Sequence, residues 1–451
     1  MGGGILLLAS CGTDETVVVR AAVKLLPPDP VVFASGGGSV RITVKTNQDV
    51  WDAVSDRQWC EARRQGGELV ISCTANDTRE YLPEATVTVT AGSGDNVSSA
   101  SLTVIQEGMP PADLTTNGPA NCFIVPAAGD YRFDASVRGK SAGPPAAVPH
   151  GSQAAVVWAT SEGLLELDPT PDEQGRISFS VPDEYRPGNA VVALTDGNEI
   201  LWSWHLWLTD KAKRSASDPF MNINLGATDD APRSAGSLGL MYQWGRKDPF
   251  PGAAGTGDWT ASYDGGFNEL EAFGEGADNG TAYTSPTVVN EALAGPWRVD
   301  ESSEPRTHEE CAATGTTFYG QAGALPDNAA RNWSPAADPC PAGWHVPEYR
   351  EMSSHFTGYA SDYTTYQGVV LGEECYWPAT GYRNTYGGAS DGRLRYVGRI
   401  AIYWTGNQRQ YAQFGCGVYF DPTQIMVEDF MVSYGLPVRC ISDDIRQTFN
   451  P

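Results

Sequence analysis

The stretch Ala85-Thr86-Val87-Thr88-Val89-Thr90-Ala91 alternates aliphatic and hydroxyl side chains without interruption. Because successive side chains of a β-strand point to opposite faces, this pattern predicts a strand with one buried and one exposed face. The same alternation occurs at residues 40–45 and 102–105, and glycines and asparagines separate the segments. Several short segments of this kind predict an antiparallel β-sandwich over residues 31–108.

A hairpin within this sandwich is predicted at Gly66-Gly67, a dipeptide that suits a two-residue turn. With that turn, Cys60 lies directly opposite Cys73 at a non-hydrogen-bonded position, where Cα atoms are about 4.5 Å apart. That separation is just within the reach of a disulfide, so we predict a Cys60–Cys73 bond.

Residues 112–210 predict a second β domain. Its strand candidates are residues 121–126, 131–137, 154–159, 176–181, 190–195 and 200–208. The last of these, Ile200-Leu201-Trp202-Ser203-Trp204-His205-Leu206-Trp207-Leu208, is apolar on both faces, which predicts a central strand that is buried on both sides. We therefore interpret its tryptophans and His205 as packed core residues rather than as ligand-binding residues.

Residues 211–444 differ in composition, with long stretches rich in Gly, Asn, Asp and Ser and few regular strand patterns. This composition predicts short strands, one or two helices and long ordered loops. Residues 347–356 begin with proline and predict a short helix. A short polar tail follows at residues 445–451.

The chain is strongly acidic, since its 451 residues include 30 Lys+Arg against 55 Asp+Glu, a net charge of −25. This charge argues against a nucleic-acid partner and against docking on an anionic membrane by charge, because both need a basic surface. A hydrophobic content of 41% is enough to fill several cores and argues against disorder. The sequence contains no run of 18 or more apolar residues that would predict a transmembrane helix.

The first residues predict export and a lipid anchor. Leu8-Ala9-Ser10-Cys11 resembles a lipobox, so Cys11 is the predicted lipidation site and residues 1–11 are a signal remnant. The missing basic region suggests that the true start lies upstream. The acidic residues at 14 and 15 resemble the signal that sends lipoproteins of Bacteroidetes-type bacteria to the outer face of the outer membrane. Residues 12–30 are rich in proline at their end and predict an extended tether.

Residues 31–108 resemble the BACON domain, a small immunoglobulin-like sandwich of Bacteroidetes surface proteins. The likeness is carried by Gly36-Gly37-Gly38, residues 47–51, Trp59, residues 85–91 and Val104-Ile105-Gln106-Glu107-Gly108. The resemblance implies either carbohydrate or mucin binding or a role as a spacer. Trp51 and Trp59 have the chemistry to stack on a sugar ring, but we expect at least one of them in the core.

Residues 211–444 resemble the major paralogous domain first noted in Fibrobacter succinogenes. The motifs are Leu225-Gly226-Ala227, GLMYQWGRKDPF at 239–250, DPCPAGWHVP at 338–347, PATGYR at 378–383, Tyr403-Trp404-Thr405 and Pro437-Val438-Arg439-Cys440. The resemblance implies a C-type-lectin-like core, display on the cell surface, and an association with fimbrial subunits. It also implies a Cys340–Cys440 disulfide.

The other cysteines also suit an exported chain. Without Cys11, eight of the nine cysteines remain, and an even number predicts disulfides in an oxidising compartment. We expect Cys375 and Cys416 to form a further pair, whereas no spacing argument joins Cys122 to Cys311. Taken together, the sequence predicts a mainly β protein, with two immunoglobulin-like β-sandwich domains followed by an α+β C-type-lectin-like domain.

Enzymatic chemistry has weak support in the sequence. The spacing of His308-x-x-Cys311 and of Cys340-x4-His345 suits a zinc site poorly, and disulfides are favoured for exported cysteines. An oxidase would need a reactive, exposed cysteine, and a glycosidase would need a specific pair of carboxylates that the sequence does not single out. We therefore expect no enzymatic activity, no metal and no cofactor, and keep a cysteine oxidase or a glycosidase as alternatives.

Aromatic residues in the C-terminal part are the candidates for recognition, because their rings pair with the C–H faces of sugars and anchor interfaces. The predicted ligand-binding residues are Trp259, Tyr382, Tyr386 and Tyr411. Three aromatic residues inside the motifs are instead expected to pack the core: Trp244, Trp377 and Trp404.

These observations predict a cell-surface lipoprotein that binds a glycan, a mucin or a host or bacterial surface protein through its C-terminal lectin-like head. The alternative is a minor or tip subunit of a fimbria, whose main partner is the next subunit. That alternative requires a donor strand or a groove that accepts one. The tail at 445–451 is too short and polar to be an obvious donor.

Overall fold

The protein is mainly β, as predicted, and divides into two compact units, Met1–Pro110 (unit 1) and Pro111–Pro451 (unit 2). No helix within the described residues is long and apolar enough to cross a membrane. The computed structural model describes residues 19–26, 30–140, 144–196, 200–214, 219–249, 252, 287–288, 331–333, 335–356, 368–371, 375–383, 394–408, 414–421, 423–431 and 434–445.

The described part of unit 1 is built from two four-stranded sheets, ordered β1-β3-β6-β5 and β2-β8-β7-β4. Its strands are β1 Val23–Leu26, β2 Val31–Phe33, β3 Gly38–Thr46, β4 Trp51–Ser55, β5 Cys60–Gln65, β6 Glu68–Cys73, β7 Ala85–Ser93 and β8 Asn96–Gln106. Residues of both sheets, including Ile42, Leu69, Val87 and Leu102, meet in one core. The predicted alternation in β7 is confirmed, because Val87 and Val89 are buried and Thr86 is exposed.

The predicted register of the β5–β6 hairpin is also confirmed, since Cys60 lies directly opposite Cys73. Both side chains are buried thiols in the structure. Burial raises the pKa of Cys60, and burial together with the neighbouring Cys60 raises the pKa of Cys73 to about 12. The Cys60–Cys73 disulfide therefore stays a prediction, although the two residues lie directly opposite each other.

Part of the predicted tether is folded onto unit 1. Strand β1 pairs antiparallel with β3, with Val23 opposite Thr46 and Leu26 opposite Thr43. The apolar side chains of Val23 and Leu25 pack against the core, which explains why this segment belongs to unit 1 instead of forming a free tether.

The first part of unit 2 contains a second pair of sheets. One is ordered β13-β14-β11-β9, and the other is ordered β10-β16-β15-β12-β17. The strands are β9 Ala112–Asp113, β10 Cys122–Val125, β11 Gly129–Asp134, β12 Gln153–Ala159, β13 Glu166–Leu167, β14 Arg176–Val181, β15 Gly188–Thr195, β16 Ile200–Leu208 and β17 Thr287–Val288, with a 3-10 turn at Leu114–Asn117.

Strand β16 is central and buried, as its two apolar faces predict. On one face, Trp204 and Leu206 pack with Phe133 in the core between the two sheets. On the other face, Trp207 packs in a second core with Leu240 and other residues of the C-terminal part. The predicted boundary at residue 210 therefore lies inside one compact unit, because the two parts share a hydrophobic core.

The C-terminal part of unit 2 consists mainly of short strands and loops, as its composition predicts. The strands are β18 Arg331–Asn332, β19 Trp344–His345, β20 Gly368–Leu371, β21 Cys375–Pro378, β22 Tyr382–Arg383, β23 Leu394–Arg395, β24 Ala401–Trp404, β25 Asn407–Gln408, β26 Phe414–Phe420, β27 Ile425–Met431 and β28 Ile441–Ser442. Single 3-10 turns lie at Ala235–Ser237, Pro335–Ala337 and Asp443–Ile445.

The predicted helix is present as α1, Tyr349–His355. It begins two residues after Pro347, because Glu348 serves as the N-cap in a reciprocal capping box with Glu351. His355 in the last turn suits the negative end of the helix dipole.

A fully buried arginine joins three segments of this part. Arg439 donates hydrogen bonds from Nε to Asn224 Oδ1 (2.8 Å), from Nη1 to the Met221 carbonyl (3.0 Å) and from Nη2 to the Tyr376 carbonyl (2.7 Å). Its guanidinium carbon lies 4.4 Å from the centroid of the Trp377 ring. The planar fork of arginine suits this arrangement, since each nitrogen meets a different acceptor.

Candidate functional site

Tyr382 is the predicted ligand-binding residue that the structure describes, and it lies at the start of β22. Its side chain is partly buried against the core of unit 2. The other three predicted residues, Trp259, Tyr386 and Tyr411, lie outside the described residues.

Tyr382 lies in a row of three tyrosines. Its ring centroid is 5.8 Å from that of Tyr396, at an interplanar angle of 22°, and 5.8 Å from that of Tyr434, at 7°. All three side chains are partly exposed. We call Tyr382, Tyr396 and Tyr434 the tyrosine stack. Sequence reasoning missed Tyr396 and Tyr434, which carry no local signal and are brought to Tyr382 by the fold.

The backbone at Tyr396 is unusual, with a φ of 58° in the left-handed region. A non-glycine residue there costs about 1–2 kcal/mol, so the surrounding structure must hold it in place. Two hydrogen bonds do so, because the backbone N–H groups of Arg399 and Ile400 both donate to the Tyr396 carbonyl at 3.0 Å. β22 and β23 fix the other side of the turn, with Tyr382 opposite Arg395.

Tyr434 is placed by a turn after β27. Its backbone N–H donates to the Met431 carbonyl at 2.9 Å. Two residues later, Leu436 exchanges backbone hydrogen bonds with Tyr242, at 3.0 and 2.8 Å. The stack is therefore assembled from three separate segments of the chain.

A polar group lies beside the stack. Tyr419 donates its hydroxyl hydrogen to Asp421 Oδ2 at 2.7 Å, and its side chain packs partly exposed against the same core as Tyr382. Burial alone would raise the pKa of Asp421, but hydrogen bonds from Thr423 and Tyr419 outweigh it and hold that pKa below its usual value. Asp421 is therefore an ionised acceptor at neutral pH. Burial, with Asp421 adding to it, raises the pKa of Tyr419, which keeps its hydroxyl a donor.

The aromatic residues that were expected in the core are largely buried. Trp377 and Trp404 have no exposed surface. Trp244 is partly buried, packs against the same core and donates its ring N–H to the Thr405 carbonyl at 2.9 Å. In unit 1, Trp51 is 5% exposed, and Trp59 packs partly buried against the same core. Trp51 is therefore a core residue, as expected for at least one of the two.

The cysteines of unit 2 bear directly on the predicted disulfides. Cys340 and Cys440 form a disulfide, as the family resemblance implied. Cys375 and Cys416 are buried thiols in the structure, so their pairing stays a prediction. Cys122 is a fully buried thiol whose pKa is raised by burial. The predicted lipidation site Cys11 and the remaining Cys311 lie outside the described residues.

These thiols bear on the oxidase alternative. Nucleophilic cysteines need a lowered pKa and access to solvent. Cys60, Cys73 and Cys122 are buried, and burial raises the pKa of each. None of these three has the properties of a nucleophilic cysteine.

A buried charged cluster connects β16 with the motif at 239–250. Lys247 Nζ lies 2.9 Å from both carboxylate oxygens of Asp248 and also donates to Ser203. It lies 4.7 Å from the centroid of the Trp202 ring. Burial lowers the pKa of Lys247 to about 8, although Asp248 opposes that shift. Sequence reasoning treated Lys247 and Asp248 only as part of a family motif, whereas the structure shows that both are buried.

His205 is a core residue, as interpreted from its position between tryptophans. It is 1% exposed, and its Nε2 lies 2.9 Å from Asn189 Oδ1. Asn189 in turn donates to the Gly226 carbonyl at 2.9 Å, across the shared core. Burial lowers the pKa of His205 to about 3, so the ring is neutral in the folded protein.

Two residues of the zinc alternative, Cys340 and His345, are described by the structure. Cys340 is engaged in its disulfide, and His345 Nδ1 lies 2.7 Å from Asp443 Oδ1. Across the described ranges, no group of three or more His, Cys, Asp or Glu side chains is placed to hold a metal ion. His308 and Cys311 lie outside those ranges.

Comparisons with known proteins give only partial likenesses. No family model and no curated protein matches the chain. A xyloglucanase from Bacteroides ovatus, solved with a heptasaccharide, is similar over 22% of this chain and 22% of its own, at 21% identity and a TM-score of 0.18. A protein from Bacteroides thetaiotaomicron solved by NMR is similar over 22% of this chain and 97% of its own, at 15% identity and a TM-score of 0.16.

Tandem immunoglobulin domains of titin are similar over 42% of this chain and 98% of theirs, at 10% identity and a TM-score of 0.19. The chain spans only 22% of the length of the xyloglucanase. Likenesses of this extent indicate no function.

Proposed function

We propose that this chain is a cell-surface lipoprotein, anchored in the outer membrane through Cys11, that binds a glycan, a mucin or a surface protein through the C-terminal part of unit 2. The observation that carries the binding role is the tyrosine stack. The anchor rests on the lipobox-like residues that end at Cys11, and the outer-face location rests on the acidic residues Asp14 and Glu15 that follow.

The stack has three properties that suit recognition. Tyrosine combines an apolar ring with a hydroxyl that donates and accepts hydrogen bonds, so it contacts both the C–H faces and the hydroxyls of a sugar. The three rings are held by packing and by their backbones, so little side-chain entropy is lost when a ligand binds. The ionised Asp421 and the hydroxyl of Tyr419 add polar groups beside the rings.

The binding role is tested with a glycan and mucin array and with surface proteins, using the full chain and the variant Tyr396→Gly. Glycine accepts the left-handed φ of 58° without strain, so the variant removes one ring of the stack while keeping the turn. Loss of an anchoring aromatic costs at least about 1.4 kcal/mol, which predicts affinity at least about tenfold weaker.

Tyr81→Ala is the matched control, because Tyr81 is 64% exposed and belongs to unit 1. We expect its affinity to equal that of the unaltered chain. Full affinity in the Tyr396→Gly variant would contradict the role of the stack. Absence of any glycan or protein ligand, together with co-purification with fimbrial subunits, would favour the fimbrial alternative instead.

A further inference from the structure

Two N-terminal segments of unit 1 are hydrogen-bonded to strand β8, residues 19–21 at its start and Val31–Phe33 at its end. Asn96, at the start of β8, accepts a hydrogen bond from the Ala21 N–H (2.7 Å) and donates to the Val19 carbonyl (3.0 Å). At the far end of β8, strand β2 pairs with it in parallel, with Val31 opposite Val104. The chain thus enters unit 1 at the start of β8 and leaves it after the end of the same strand.

Two asparagine side chains hold the segment where it enters. Asn96 binds residues 19 and 21, as described above. Asn47 binds residues 20 and 22. It accepts a hydrogen bond from the Ala22 N–H (2.9 Å) and donates one to the Arg20 carbonyl (2.8 Å). Each side-chain amide uses its donor and its acceptor on one stretch of backbone, as a neighbouring strand would. We call Asn47 and Asn96 the asparagine clamp.

The surroundings of the clamp are shaped for a close approach. A Cβ atom at Gly92 would lie 2.1 Å from the Asn96 carbonyl oxygen and 3.2 Å from Ala21 Cβ. Only glycine fits there without movement of the β7–β8 turn or of residue 21. Immediately after the clamp, Val23–Leu26 adds to the sheet beside β3.

The end of β8 is held equally firmly. Gln106 is fully buried and donates from Nε2 to the Thr74 carbonyl at 2.6 Å. The backbone N–H of Glu107 donates to the Phe33 carbonyl at 2.9 Å, and Asn76 donates to the Glu107 carbonyl at 3.0 Å. Both the incoming and the outgoing chain are therefore bound within unit 1.

This topology determines how the unit responds to tension. When the chain is pulled from both sides, residues 19–21 and strand β2 are drawn toward the start of β8, and β8 is drawn toward its own end. The hydrogen bonds between them lie across the direction of pull, so they carry the load together. Strands pulled apart from one end of a hairpin would instead lose their bonds one after another, at lower force.

We propose that unit 1 is a load-bearing module that transmits tension between the membrane anchor and the binding part of the protein, with the asparagine clamp as its first point of resistance. The proposal rests on the proposed function, since tension arises only in a chain that is anchored at one end and bound at the other. The role of unit 1 is therefore to resist mechanical load, and no further ligand is involved.

The test is single-molecule stretching of the full chain through handles at its two ends, which requires neither membrane nor ligand. Unfolding of unit 1 releases about 90 residues, which corresponds to about 300 Å of extended chain. The disulfide that spans 100 residues of unit 2 gives that unit a different released length. Forced unfolding reports the unfolding rate, so each variant is compared at the same force.

We expect Asn96→Ala to unfold unit 1 about two- to tenfold faster under load, the effect of losing one or two hydrogen bonds. Asp56→Ala is the matched control. It removes a backbone-to-side-chain bond, from the Thr86 N–H to Asp56 Oδ1 at 2.7 Å, which involves neither β8 nor the N-terminal segments bound to it. It should lower stability to denaturant as Asn96→Ala does, yet leave the rate under load unchanged.

Equal rates for Asn96→Ala and the unaltered chain under load would overturn the proposal, as would an equal acceleration by Asp56→Ala. If stretching gives either result while ligand binding is intact, the load-bearing role fails and the proposed function stands. If binding fails while the clamp resists load as expected, the proposed function fails, and the resistance of unit 1 to tension stands as a separate result.

Discussion

The buried Arg439 allows the strongest single prediction on stability, through the variant Arg439→Lys. Its three guanidinium nitrogens meet three different acceptors, at Asn224, Met221 and Tyr376. One lysine ammonium keeps the buried charge but cannot occupy three positions at once. One or two of the three acceptors are then left without a hydrogen bond in the buried interior, and each unsatisfied acceptor lowers the free energy of unfolding by about 1–3 kcal/mol.

The expected loss for Arg439→Lys is therefore about 4 kcal/mol, and the lost stacking on Trp377 adds to it. Such a loss is a large fraction of the stability of a typical domain. We would measure it by urea unfolding of the oxidised protein, following the transition of unit 2 and comparing midpoints at an unchanged m-value.

Arg41→Lys is the matched control for the same exchange. Arg41 pairs with Glu68 at 3.0 Å, and both side chains are about half exposed. An exposed pair of this kind contributes little, so we expect a change within about 0.5 kcal/mol. If Arg439→Lys cost less than about 1 kcal/mol, the three buried hydrogen bonds would not have the role assigned to them.

Three further predictions concern the cysteines and His205. Replacing Cys340 and Cys440 together by alanine should destabilise unit 2 by about 4.7 kcal/mol, since the disulfide closes a loop of 100 residues; an unchanged urea midpoint would contradict this. Because the pKa of His205 is about 3 in the folded protein and near 6.5 when unfolded, the unfolded state binds more protons between these values. Stability should fall as the pH drops from 6.5 towards 3, by up to about 4–5 kcal/mol, and the fall should be smaller in His205→Gln. Mass mapping of the protein after export should show Cys60 joined to Cys73, and a bond from either to another cysteine would disprove the predicted pair.

The tyrosine stack is the part of the candidate site that the sequence predicted only in one residue. Tyr382 was singled out from the sequence as one of the aromatic residues of the C-terminal part. Its two partners come from a turn at Tyr396 and a turn at Tyr434, and neither turn is marked by a regular pattern. The left-handed backbone at Tyr396 is a product of the surrounding packing, so no propensity scale would have placed the ring there.

The sequence by itself determined the local elements of this protein. Period-two alternation located β3 and β7, Gly66-Gly67 set the register that places Cys60 opposite Cys73, and an initial proline marked α1. These features depend on residues within a few positions of one another, where side-chain direction and turn geometry follow from chain stereochemistry.

Only the tertiary structure decided what covers each face. The two apolar faces of β16 indicate burial on both sides, but not that one side packs on the C-terminal part of unit 2. Likewise, the buried position of Arg439 depends on Met221, more than 200 residues earlier in the chain. Hydrophobic burial is not directional, so a pattern in one segment shows that it must be covered while the fold of the whole chain determines by what.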